Sequence, residues 1–161
     1  MRALSALLAA LGLSAGCIIH NIAPSERLRD AVVGLNDEAR WTRMDLASVR
    51  VAPSYRDEWM RTHRAWGRDI QIGDVELLDV TLAGDNETAV SVVAVSWYSY
   101  DTMMLTRTVI RQEWTSAGRD FVLASEEVVE GDPRLITPPE PAAGEDDEPE
   151  RELTASAATS T

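Results

Sequence analysis

Thr88-Ala89-Val90-Ser91-Val92-Val93-Ala94-Val95-Ser96-Trp97-Tyr98-Ser99-Tyr100 is rich in β-branched and aromatic residues and free of Gly and Pro, the composition of a long β-strand. It is followed by Met103-Met104-Leu105-Thr106-Arg107-Thr108-Val109-Ile110-Arg111-Gln112-Glu113-Trp114-Thr115. Asp101-Thr102 between them reads as a tight connection, so the two runs form an antiparallel hairpin. That connection pairs Tyr98 with Leu105, Ser96 with Arg107, Val92 with Arg111 and Val90 with Glu113. One face then carries these residues with Tyr100, Val109 and Ala94. The other carries Ala89, Val93, Val95, Trp97, Ile110 and Trp114, and reads as core.

Working outward, 75–82 reads as a strand with Leu78, Val80 and Leu82 on one face, joined to the hairpin through Gly84-Asp85-Asn86. Ala117-Gly118-Arg119-Asp120 makes the next turn, and 121–129 is the fourth strand. Upstream the period is helical. Leu28, Ala31, Val32, Leu35 and Ala39 recur at helical spacing over 25–43, with Ser25 as N-cap. Asp45 caps a short turn over 46–49. A further helix starts at Pro53-Ser54, with Ser54 and Asp57 as capping partners, a stripe of Tyr55, Trp59, Thr62 and Trp66, and a stop at Gly67. Helices first and a meander second give an α+β fold: N-terminal helices packed on a curved antiparallel sheet of about four strands, occupying 25–132.

The ends differ from this domain. Five of the seven prolines lie between 133 and 149, interleaved with Glu145-Asp146-Asp147-Glu148, so 133–161 reads as a disordered acidic tail. At the other end, Arg2 is followed by an apolar run through Leu13, then Ser14-Ala15-Gly16 and the sole cysteine, Cys17. This is an export signal over 1–16, too short for a membrane span of roughly 20 residues. It resembles the lipobox of bacterial lipoproteins, although Ser14 stands where leucine is commonest. The resemblance implies cleavage before Cys17, acyl chains attached at Cys17 and a tether over 17–24. Ile18 stands where an aspartate in enteric lipoproteins favours the inner membrane, which implies the outer membrane, facing the periplasm.

All 15 basic residues are arginine and the formal net charge is −12, which argues against nucleic acid as a partner. The cysteine count leaves no structural disulfide and no thiolate metal site, and no cofactor motif appears. His20 lies in the tether. His63, between Arg61 and Arg64, reads as a partly exposed helix histidine, with general-base work as the alternative. The mixed hairpin face, with Ser96, Tyr98, Arg107 and Arg111, either lines a pocket for an anionic ligand, forms the outer sheet surface or joins a dimer contact. The five tryptophans read as core.

The order of elements over 25–130, with Asp45-Leu46-Ala47-Ser48-Val49-Arg50-Val51-Ala52-Pro53-Ser54-Tyr55 as the helix-to-helix passage, resembles the nuclear transport factor two-like (SnoaL-like) cone. That family includes enzymes and proteins that only bind or scaffold, so the resemblance implies a cone-like domain without choosing between them. The expectation is a membrane-anchored lipoprotein with a non-catalytic binding or assembly domain and an envelope protein as partner. The alternative is a lipid-anchored small-ligand binder or enzyme using a cone pocket.

Overall fold

The computed structural model describes residues 22–137; Cys17, His20, the signal segment and residues 138–161 lie outside the described residues. Three helices, α1 (Pro24–Arg40), α2 (Met44–Val49) and α3 (Arg56–Thr62), precede four strands, β1 (Ile70–Leu82), β2 (Thr88–Ser99), β3 (Thr106–Ala117) and β4 (Asp120–Glu130). The strands form one antiparallel sheet in sequence order. The architecture is α+β, as the patterning requires.

The helix starts differ in detail from the sequence reading. Pro24 occupies the first turn of α1, where its missing N–H costs nothing, and Ala23 rather than Ser25 stands at the N-cap. Arg43 precedes α2 and Tyr55 precedes α3; neither makes a side-chain cap hydrogen bond. Helix α3 ends at Thr62, so Trp66 lies beyond it, next to Gly67 at φ 74°.

The β2–β3 register is the expected one: Ser96 faces Arg107, Val92 faces Arg111 and Val90 faces Glu113. The connection is longer than two residues. The ladder stops at Trp97–Thr106, and the positive φ that the turn needs is taken by Met103, since no glycine lies there. Ala89, Val93, Val95, Trp97, Ile110 and Trp114 are all buried. They meet Leu28, Val32, Leu35 and Trp59 from the helices, and each large side chain so buried contributes about 1.5–3 kcal/mol.

The edge strands depart from simple alternation. The β1–β2 register shifts between Ile72 and Asp74 and again between Leu77 and Asp79. Each extra residue moves the following side chains to the opposite face. The residues facing the core are therefore Ile70 and Ile72, then Val75 and Leu77, then Val80 and Leu82. Leu78, expected to share a face with Val80 and Leu82, is the extra residue and is exposed. Strand β4 has the same device: Glu113 pairs with Ser125 and Trp114 with Leu123, leaving Ala124 over. Its edge is met by the segment before α3, through a parallel bridge of Val51 to Leu123 and a hydrogen bond from the Ala52 N–H to the Leu123 carbonyl.

The domain extends past the expected boundary at 132. A 3-10 turn, Pro133–Leu135, buries Leu135, whose carbonyl accepts a hydrogen bond from the Trp66 indole at 2.8 Å. Four tryptophans are core residues, whereas Trp41 is exposed, with its indole on Asp37 and the Arg40 guanidinium 5.3 Å from its ring.

Candidate functional site: a buried histidine–glutamate pair

The extra residue in β4 decides what stands opposite Gln112. Alternation from Phe121 and Leu123 would carry Ser125 and Glu127 inward; with Ala124 left over, Glu126 faces the core instead. There its Oε1 lies 3.1 Å from Nε2 of His63, with the two side chains 1% and 2% exposed. His63 is therefore buried, not the partly exposed residue the helical spacing suggests. It is the C-cap of α3, and its ring packs on Trp59 at 4.4 Å and against Trp66 at 4.5 Å.

The tautomer follows from the partners. Nδ1 lies 2.9 Å from the Trp59 carbonyl, which only accepts, so Nδ1 carries a proton. Oε1 of Glu126 is close to Nε2 but has no aligned hydrogen-bond donor. Oε2 is 3.5 Å from the Gln112 amide nitrogen. A carboxylate so sparsely solvated favours its neutral form: burial pushes Glu126 up to about 8, opposed in part by Gln112. Burial likewise pushes His63 down to about 3, opposed by its bond to the Trp59 carbonyl. Burial first, and the Glu126 charge second, also raise the Tyr55 phenol.

The pair continues into a polar chain across the sheet. The Gln112 carbonyl oxygen accepts from Asn36 at 3.1 Å and from Ser91 at 3.0 Å, and Ser91 accepts from the Trp114 indole at 2.9 Å. Chemically the arrangement holds one proton between two groups. Neither His63 nor Glu126 lines the described cavities, and among the described residues no cluster of three or more His, Cys, Asp or Glu side chains is placed to hold a metal ion.

The residues singled out on the hairpin face are placed elsewhere. Arg107 reaches Glu76 at 3.4 Å, and Arg111 reaches Glu113 at 2.6 Å and Glu127 at 3.4 Å. Ser96 and Tyr98 share that face, and none of the four lines the cavities described here. Both arginines of that face are thus held in ion pairs on the sheet. Glu126 was missed because adjacent Glu126-Glu127 gives no sign of which one turns inward.

No family model matches the sequence, and no curated protein does. Among solved structures, the fold is similar to the solution structure of RPA3114, a SEC-C motif containing protein from Rhodopseudomonas palustris. The two share 14% identity over 59% of this chain and 73% of that one, with a TM-score of 0.51. The intermembrane space region of the chloroplast protein ARC6 is matched at 9% identity over 62% of this chain and 92% of that one, with a TM-score of 0.41. The first likeness is one of fold alone.

Proposed function

We propose that this chain is an envelope lipoprotein, held to the membrane through acyl chains on Cys17, whose cone-like α+β domain works by binding or assembly and not by catalysis. The observation that carries the non-catalytic part is the sealing of the acid–base pair: the His63 ring packs against Trp59 and Trp66, and the His63 and Glu126 side chains are 2% and 1% exposed. General acid–base work requires reach to a substrate proton. The extra residues in β1 and β4 bend the edges of the sheet, which supports the cone-like form. The lipobox resemblance supports the anchor, and no described helix is long and apolar enough to cross a membrane.

Fractionation of cells expressing the chain and its Cys17→Ser variant tests the anchor. The expected result is a wild-type protein in the membrane fraction, with an N-terminal peptide whose mass includes acyl chains, and loss of that mass in the variant. A wild-type chain whose Cys17 carries no lipid overturns it.

A further inference from the structure

A cavity of about 720 Å³ opens where the start of β1, the end of β2 and the 3-10 turn meet, with Ala65, Ile70, Trp97, Ser99 and Tyr100 in its walls. That volume is typical of small-molecule pockets. Ala65, Ile70 and Trp97 are core residues, so the floor is apolar. The charged residues of the lining are Arg68, Asp69, Asp101 and Arg134. All four are exposed and stand at the rim.

The walls are fixed by the domain's own hydrogen bonds. The Trp97 indole donates to the Thr108 hydroxyl at 3.0 Å, and that hydroxyl donates to the Asp132 carbonyl at 3.1 Å. The Asp132 carboxylate accepts from Nε of Arg134 at 2.9 Å and from its Nη2 at 2.6 Å. One chain of bonds therefore sets both the floor ring and the rim guanidinium, which stands 6.0 Å from that ring. On Arg68, Nη2 donates to Asp69 at 2.8 Å, and the Tyr100 N–H donates to the Asp69 carbonyl at 3.1 Å. A pocket held in shape before its ligand arrives loses little freedom on binding.

Charge selects the occupant. Two arginines and two aspartates line the cavity, so neither sign prevails, and each guanidinium already has a carboxylate of its own. A charged ligand would leave water for an apolar floor without gaining an unpaired partner, which costs free energy. Both guanidiniums are engaged through Nε and Nη2. Among the described residues, Nη1 of neither has a hydrogen-bond partner, so the rim still offers donors.

We propose that this cavity binds an uncharged, ring-bearing small molecule whose apolar body lies against Ile70 and Trp97 and whose carbonyl or hydroxyl oxygen accepts from Arg68 or Arg134. The proposal rests on the reading of the domain as a binding domain and does not involve the anchor at Cys17.

The test titrates the full chain with the uncharged fluorescent ketone propionyl-dimethylaminonaphthalene and then displaces it with four competitors of one ring system. Saturable binding at one site is expected. Acetylnaphthalene, uncharged and with an acceptor, is expected to displace the probe at concentrations at least about tenfold lower than naphthoate or naphthylmethylammonium, and about fivefold lower than ethylnaphthalene, which has no acceptor. Ser99→Phe, which fills the cavity from a half-buried position, is expected to weaken the probe by about tenfold or more with an unchanged melting curve. Tyr100→Ala removes an exposed wall residue and is expected to weaken it by about fivefold, which keeps the test open should Ser99→Phe unfold the chain. Met104→Ser, at an exposed position outside the walls, is expected to leave binding unchanged. Absence of saturable binding, a charged competitor equal to acetylnaphthalene, or binding indifferent to both wall variants overturns the proposal. Ethylnaphthalene equal to acetylnaphthalene overturns the part played by the guanidiniums. Loss of binding in Met104→Ser with both wall variants unaffected moves the probe to the hairpin tip and overturns it too. None of these results bears on the lipid at Cys17, which fractionation decides.

Discussion

Replacing Glu126 with Gln changes how stability responds to pH, and the size of the change follows from the buried pair. Glu126 rises from 4.5 to about 8 on folding, so its contribution is fully present below pH 4.5 and is lost as pH rises towards 8. His63 falls from 6.5 to about 3, so its contribution is present above pH 6.5 and is lost as pH falls towards 3. Between 4.5 and 6.5 the two slopes cancel, because folded and unfolded pairs each hold one proton. Above 6.5 only the glutamate slope remains, worth about 2 kcal/mol by pH 8, and below 4.5 only the histidine slope, worth about 2 kcal/mol by pH 3. Urea unfolding followed by tryptophan fluorescence, across this range, measures the curve. The wild-type chain is expected to show a plateau with a descent on each side, and Glu126→Gln to lose the descent between pH 6.5 and 8 and, with the cancelling glutamate slope gone, to begin its acid descent near pH 6.5 instead of 4.5. An alkaline descent of equal size in both proteins refutes the shared-proton account.

Two further outcomes test the fold. Gly131 has φ 96°, and a Cβ there would meet the Arg107 carbonyl oxygen at 2.5 Å and the Thr108 Cα at 2.9 Å; Gly131→Ala is expected to cost about 2–4 kcal/mol. Gly118 also has positive φ but open space around it, so Gly118→Ala is expected to cost about 1 kcal/mol, and chemical denaturation of the two variants gives the comparison. Leu135→Ala is expected to cost about 2–5 kcal/mol by calorimetry, since a fully buried leucine leaves a cavity; a negligible loss would show that the 133–137 segment does not close the core.

The central hairpin was legible because its alternation is unbroken. Inner residues from Ala89 to Trp97 and from Ile110 to Trp114 keep one parity, so composition and register agree. The edge strands were not, because an extra residue reverses parity without a marker of its own: Leu78 looks like a core residue and is exposed, while Glu126 looks solvent-facing and is buried. His63 escaped for a related reason. Helical spacing set it beside the apolar stripe, but the helix ends at Thr62 and the chain turns the imidazole between Trp59 and Trp66. The proline-rich composition after Gly131 concealed Leu135, which sits with Ile136 among turn formers and nonetheless plugs the core.

The same extra residues govern how the molecule meets its own copies. An open sheet has two free borders, and a straight border of unpaired backbone groups recruits strands from other chains. Here the borders are β1 and β4. Both are kinked in two places, β1 carries Asp74, Glu76 and Asp79, and β4 carries Glu127 and Glu130 and is partly occupied by Val51 and Ala52. Neither border is thus long and flat, which disfavours strand exchange between copies.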